Sequence, residues 1–189
     1  MLHSHETERL ILKPLKREDA AMVLSFYEEN MSHLEPWEPL RDNSFYTLPY
    51  QKASLTAEHN LMSEGKLIRY WIFRKDNPYE IIGCFCFQNF LKEPYKSCCL
   101  GYKLSQKHLH QGYAREAIQK GIDLLFNEYH LHRIEAFVIP CNKPSRRLLR
   151  HLGFHNEGLC CSFARVQGTW TDHCRYALIN PEECNNNNL

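Results

Sequence analysis

The sequence has no apolar run approaching the roughly 18 residues that cross a bilayer. Its start, Met1-Leu2-His3-Ser4-His5-Glu6, lacks the charged region and apolar stretch of a secretion signal. Both absences predict a cytoplasmic protein with no membrane partner. There is little net charge: 23 basic and 22 acidic residues, spread along the chain, leave a formal charge of +1 and no general attraction to nucleic acid. Any affinity for an anion must therefore be local. No C-x-x-C motif occurs and the nine cysteines are odd in number, which gives neither zinc-ligand spacing nor a complete disulfide framework. Cys84 and Cys86 alternate in an apolar run, and the adjacent pairs Cys98-Cys99 and Cys160-Cys161 would point to opposite faces of a strand. They read as reduced, mostly core cysteines that hold no metal. Internal repeats and interdomain linkers are missing too, so 189 residues with 43% hydrophobic content predict one domain, 1–184, with a sizeable core. The Asn-rich end, 185–189, reads as a disordered tail.

What is present is an alternation of strand and helix patterns. Glu8 to Leu15 reads as a strand, followed by Ala20, Val23, Leu24 and Tyr27 at helical spacing. Between Ser32 and Tyr50, Pro36, Pro39 and Pro49 predict a long ordered loop or helical turn. Ala53 to Ser63 reads as a helix, and Leu67–Arg74 and Glu80–Phe90 as a hairpin about the turn Asp76-Asn77-Pro78. Lys96–Leu104 is the next strand. From Gly112 to Tyr129 the apolar residues Ala114, Ala117, Ile118, Ile122, Leu125 and Phe126 fall on one helical face. Arg133–Ile139 is β-like, Pro144–His151 a short helix closed by Gly153, and Phe154–Val166 and Trp170–Ile179 are final strands joined at Gln167-Gly168. This order predicts a mixed α/β domain.

Two helix starts, at His110-Gln111-Gly112-Tyr113-Ala114 and at Asn142-Lys143-Pro144-Ser145, each follow a strand. A helix start offers unpaired N–H groups and roughly half a positive charge, and a glycine lets a phosphate approach them. Arg115, Lys143, Arg146, Arg147 and Arg150 cluster there, either to reach a phosphate or as an ordinary solvated face. Ser145 taken alone reads as a first-turn serine. His108, His110, His130 and His132 fall at turns and helix ends, where surface or cap roles are commonest.

The blocks GYKLSQKHLHQGYAREA and NKPSRRLLRHLGF, with LEPWEPLRDNS, HRIEAFVIPCN and GTWTDH in the same order, resemble the GCN5-related N-acetyltransferase (GNAT) superfamily. Within it the chain is most similar to the RimJ/RimL type, whose members acetylate protein N-termini, and the resemblance runs from Thr7 to about Pro181. It implies a central, mostly antiparallel twisted sheet flanked by helices, with splayed strands in the middle. It implies acetyl-CoA as co-substrate, bound by Leu100 and Gly101 and by the turn Leu109, His110, Gln111, Gly112, Tyr113, Ala114 and Arg115. Leu109 stands where the family usually has Gln or Arg. Asn142 would contact the pantetheine arm, and Ser145 would protonate the leaving thiolate, with Tyr102 or water next in line. Gly101 would mark a strand bulge that opens a backbone N–H toward the acetyl carbonyl. Cys99 stands where many relatives carry a glutamate base.

An N-terminal amine with a pKa of about 8 has a neutral fraction at neutral pH, so direct attack needs no strong base. Water relay to Glu35 or Glu38 is one route for the proton; equally, both are solvent-facing glutamates and Trp37 a packing anchor. Trp37, Glu35 and Asp172 are the acceptor-side candidates, Asp172 either holding the amine or pairing with Arg175 or His173. Cys99 as a nucleophile is a lesser alternative, since no histidine is placed beside it. The predicted function is direct acetyl transfer to a protein N-terminus, a ribosomal protein among the candidates, by a monomer or homodimer. Acetylation of a small amine, and a non-catalytic CoA-binding module on the ribosome, are the competing readings.

Overall fold

The computed structural model describes residues 3–184, so the tail expected at 185–189 lies outside the described residues. One eight-stranded sheet runs in the order β1-β2-β3-β4-β5-β6-β8-β7. Its strands are β1 (His5–Glu6), β2 (Leu10–Lys13), β3 (Leu67–Arg74), β4 (Ile81–Leu91), β5 (Ser97–Leu104), β6 (Arg133–Val138), β7 (His155–Val166) and β8 (Thr169–Ile179). All neighbours are antiparallel except β5 and β6. The helices are α1 (Ala20–Leu34), α2 (Leu48–Ser63), α3 (Tyr113–Tyr129), α4 (Lys143–His151) and the short α5 (Pro181–Cys184).

The near-continuous apolar runs of β3 and β4 follow from cover on both faces. In β3, Tyr70 and Ile72 join the larger core beneath α3 and α4, while Trp71 and Phe73 join a second core beneath α1 and α2. Helix α3 comes close to the sheet because Gly121 has no side chain: a Cβ there would stand 2.5 Å from Phe85 Cε2 and 3.0 Å from Phe87 Cε2.

Three local expectations are corrected, and one short strand is new. Pro49 does not break structure; Thr47 caps Tyr50 N at 3.4 Å and α2 begins at Leu48, with the proline in its first turn where no N–H is needed. The front segment is shorter than expected, because α1 continues to Leu34 and is followed by 3₁₀ turns at Glu35–Trp37 and Asn43–Tyr46. The two-residue β1 is too short to show a sequence period, and forms only by pairing with β2. His108 is buried, with Nε2 3.3 Å from Glu80 Oε1, and is not a surface or cap residue. Cys84, Cys86, Cys98 and Cys174 are free and buried, Cys99 and Cys160 free and half-buried, and Cys141 and Cys161 free and exposed.

Candidate active site

The sheet opens at its one parallel junction. Strands β5 and β6 pair only from Ser97 opposite Arg133 to Cys99 opposite Glu135, and beyond that point they part. The β5 edge from Gly101 onward thus faces a gap, where backbone groups freed from β6 can pair with an extended ligand. The expected bulge at Gly101 is absent: Gly101 sits regularly opposite Cys86, and the register shift in this pair lies between Gln88 and Leu91. Instead β6 leaves β5 after Glu135 while staying paired with β8 to Val138, and this divergence opens the edge.

At one end of the gap lies the start of α3. Gly112 is its N-cap, at φ 81° in the left-handed region, and no side chain caps the helix. The first-turn amides therefore keep no intrahelical partner and present positive charge. Arg9 stands over this turn. Its Nε lies 2.7 Å from Glu116 Oε2, its Nη1 donates to Gln111 O at 3.0 Å, and its guanidinium lies 4.6 Å from the Tyr113 ring centroid. Burial opposes ionisation of Glu116, but the bonds from Thr7 and Arg9 outweigh it and hold the carboxyl below its ordinary value. Arg9 thus neutralises the one acidic group in the first helical turn and keeps the site receptive to an anion. His110 (φ 61°) and Gln111 are exposed, whereas Leu109 packs against the core, so any anion contact at 109 is through backbone. Arg9 is 107 residues from Glu116 in sequence, and no local spacing announces the pairing.

At the other end lies α4. Asn142 Oδ1 accepts from Ser145 N at 3.1 Å, so its oxygen serves as the helix cap. The Ser145 hydroxyl lies 2.6 Å from the Tyr102 hydroxyl of β5, and Tyr102 also donates to Ser145 O at 3.2 Å. Burial raises the Tyr102 phenol to about 12, against a smaller opposing effect of the Ser145 bond, so it stays protonated at neutral pH. Two hydroxyls proposed as alternatives from sequence are one hydrogen-bonded pair. Arg146 is tied to Tyr176 OH at 3.2 Å and Pro140 O at 2.9 Å, whereas Arg115, Lys143, Arg147 and Arg150 are exposed.

The opposite face of the opening is crossed by the front segment. Glu38 forms ion pairs with Lys103 of β5 and, at 2.7 Å, with Arg41. Burial pushes the Glu38 carboxyl up, but the two cations outweigh it and the net direction is down. A carboxylate so engaged is a poor proton acceptor, which argues against Glu38 as the base. Gln167, in the β7–β8 turn, donates through Nε2 to Glu35 O at 2.8 Å and through its backbone N to Glu38 O at 3.3 Å. The front segment and the hairpin tip thereby join into an arch. Trp37 is 38% exposed, not a packing anchor, and the Glu35 side chain is also exposed. Asp172 pairs with neither Arg175 nor His173: its Oδ1 accepts from Ser162 N at 2.8 Å inside a bulged stretch of β7. Arg175 instead meets Glu135 and, at 3.5 Å, Glu157. Cys99 is half-buried and its thiol is pushed up by burial and then by Glu135, which disfavours the nucleophilic thiolate.

The profile of the acetyltransferase (GNAT) domain matches residues 9–155. The [ribosomal protein uS5]-alanine N-acetyltransferase of Escherichia coli (strain K12) is 34% identical over 176 residues, which cover 93% of this chain and 90% of that one. Among solved structures, the ribosomal-protein-S5-alanine acetyltransferase of Vibrio fischeri superposes with a TM-score of 0.89 at 30% identity, covering 95% of this chain and 98% of that one. RimJ of Mycobacterium smegmatis in complex with CoA-disulfide gives 0.85 at 31% identity, over 92% and 83% of the two chains. Among the described residues no helix is long and apolar enough to cross a membrane, and no group of three or more His, Cys, Asp or Glu could hold a metal ion.

Proposed function

The chain belongs to the GNAT acetyltransferase family, whose acetyl donor is acetyl-CoA, and on that premise we propose that it acetylates the free α-amino group of a protein chain, with a ribosomal protein as the acceptor class. The residues fit the donor. An uncapped helix start with a glycine at φ 81° suits a pyrophosphate, and the β5 edge left open beyond Cys99 suits an amide-bearing arm. Acetyl-CoA brings the acetyl group as a thioester, whose carbonyl carbon takes the amine and whose sulfur must leave as a thiol.

The observation that carries this reading is the Tyr102–Ser145 pair at the inner end of the gap. Ser145 donates its proton toward the departing sulfur, and the Tyr102 phenol, kept neutral by burial, re-protonates or orients it. The amides of Tyr113, Ala114 and Arg115, with Arg9 behind them, hold the phosphates, and Leu100 and Gly101 offer backbone to the arm. Asn142 acts first as the cap that fixes Ser145 N. On the acceptor side, the arch of the front segment and Gln167 favours a chain end threaded beneath it, with Trp37 and Glu35 at its rim. The incoming amine enters neutral and releases its proton to water. Asp172 holds the β7 bulge and is left out of the chemistry. With an acceptor of this class the enzyme works in the cytoplasm and meets protein, not nucleic acid, directly.

The deciding experiment is turnover of acetyl-CoA against peptides beginning with Ala, Ser or Met, each beside its N-terminally blocked twin, a lysine side-chain amine and a polyamine. Acetylation of the free peptide N-termini alone is expected. Preference for the polyamine would replace this reading with a small-amine acetyltransferase, and tight binding without any turnover would make the protein a binding module.

A further inference from the structure

Lys103 follows Tyr102 in β5, and strand alternation sends the two side chains to opposite faces. Tyr102 meets Ser145 on the α4 side. Lys103 points to the α1–α2 side, where its ammonium contacts Glu38 and lies 3.4 Å from Tyr27 OH. Lys103 and Glu38 side chains are only 17% and 15% exposed. A buried pair of this kind is poorly explained by stability, because apolar residues of similar size would pack in its place without the desolvation cost. It does fix a geometry. Glu38 directly follows the 3₁₀ turn that carries the exposed Trp37, and Arg41, which grips the same carboxylate, lies 3.8 Å from the Phe45 ring centroid. Gln167 holds the same segment by its backbone carbonyls from the hairpin side. Among these holds Lys103 is the one that comes from the splayed strand, next in sequence to the hydroxyl pair.

Resting on the acceptor reading above, we propose that Lys103 is a positioning residue for the acceptor: through Glu38 it latches the front segment across the open face of β5, so that acceptor capture and the Tyr102–Ser145 pair are built on neighbouring residues of one strand. The latch sits on the face opposite α3 and α4, so its loss spares the donor site. Lys103→Met is expected to raise the acceptor KM by about tenfold or more, with kcat changed far less and acetyl-CoA affinity within about twofold. Hydrogen exchange across the front segment, Glu35 to Arg41, is expected to quicken in parallel.

Lys103→Met leaves the buried Glu38 carboxylate with Arg41 as its remaining cation and can fail to fold, so Lys103→Met/Glu38→Gln, which removes both charges of the latch, carries the test through. Lys103→Arg, which keeps a cation, should restore part of the acceptor KM. An acceptor KM and front-segment exchange like wild type in the double variant would overturn the proposal, as would a parallel loss of acetyl-CoA affinity. A Glu38→Gln variant that loses kcat at unchanged KM would overturn it too, by making Glu38 the base. Should the wild type acetylate no free N-terminus, the acceptor reading fails separately, and the exchange measurement still decides whether Lys103 holds the segment.

Discussion

Replacing Ser145 with alanine deletes one oxygen whose surroundings are well defined. The Tyr102 hydroxyl, 2.6 Å away, keeps a second partner in Ser145 O at 3.2 Å, and the Asn142 cap on Ser145 N does not involve the deleted atom. The fold should therefore lose no more than about 1 kcal/mol, the net worth of an ordinary hydrogen bond. The chemistry should lose more. A hydrogen bond to a charge developing on sulfur is worth about 1.5–3 kcal/mol, and at about 1.36 kcal/mol per factor of ten this lowers the rate roughly ten- to hundredfold. The assay is single-turnover acetyl transfer under saturating acetyl-CoA, with donor affinity measured separately and expected to stay within a few-fold. Tyr102→Phe should show a comparable loss. If the hydroxyls act as one relay, the double variant should be scarcely slower than the worse single, since members of a catalytic unit are non-additive. A wild-type single-turnover rate in Ser145→Ala would refute the reasoning and leave water as the proton source for the thiolate.

Gly112→Val should remove most of the thermal protection given by acetyl-CoA, because a branched residue is strained at φ 81° and its Cβ would stand 3.2 Å from Arg9 Nη2 at the anion site. For the wild type that protection should be about 2.7 kcal/mol at a hundred times Kd, and an unchanged melting temperature on adding acetyl-CoA would remove the donor site from this turn. Gly121→Ala should destabilise the protein by about 1–3 kcal/mol in denaturant titration despite alanine's better helix propensity, because the Cβ meets the Phe85 ring at 2.5 Å; equal or greater stability would mean that α3 can lift off the sheet freely. Since Tyr102 titrates only near 12, kcat/KM for the acceptor should rise as the amine loses its proton near pH 8 and stay level to about pH 10. A fall between pH 8 and 10 that Tyr102→Phe abolishes would show a phenol of ordinary acidity.

Local sequence determined much of this protein, because periodicity and turn chemistry act over a few residues. The apolar face of α3, the glycine before it, the Pro144 start of α4 and the β3–β4 hairpin all follow from spacings within one element. Hence the two helix starts were legible in the chain. Local spacing states which face a side chain takes but not what it meets there. Tyr102 and Ser145 are separated by 43 residues, Glu38 and Lys103 by 65, and Arg9 and Glu116 by 107. Those meetings depend on sheet register, on the parting of β5 from β6 after Cys99, and on packing of α1 and α3 against opposite faces. For the same reason the bulge expected at Gly101 is a splayed edge instead, while Glu38 lies in ion pairs with Lys103 and Arg41 and Asp172 accepts from Ser162 N in a bulged stretch of β7. Those outcomes rest on long-range competition for charge and backbone partners, which only the tertiary structure decides.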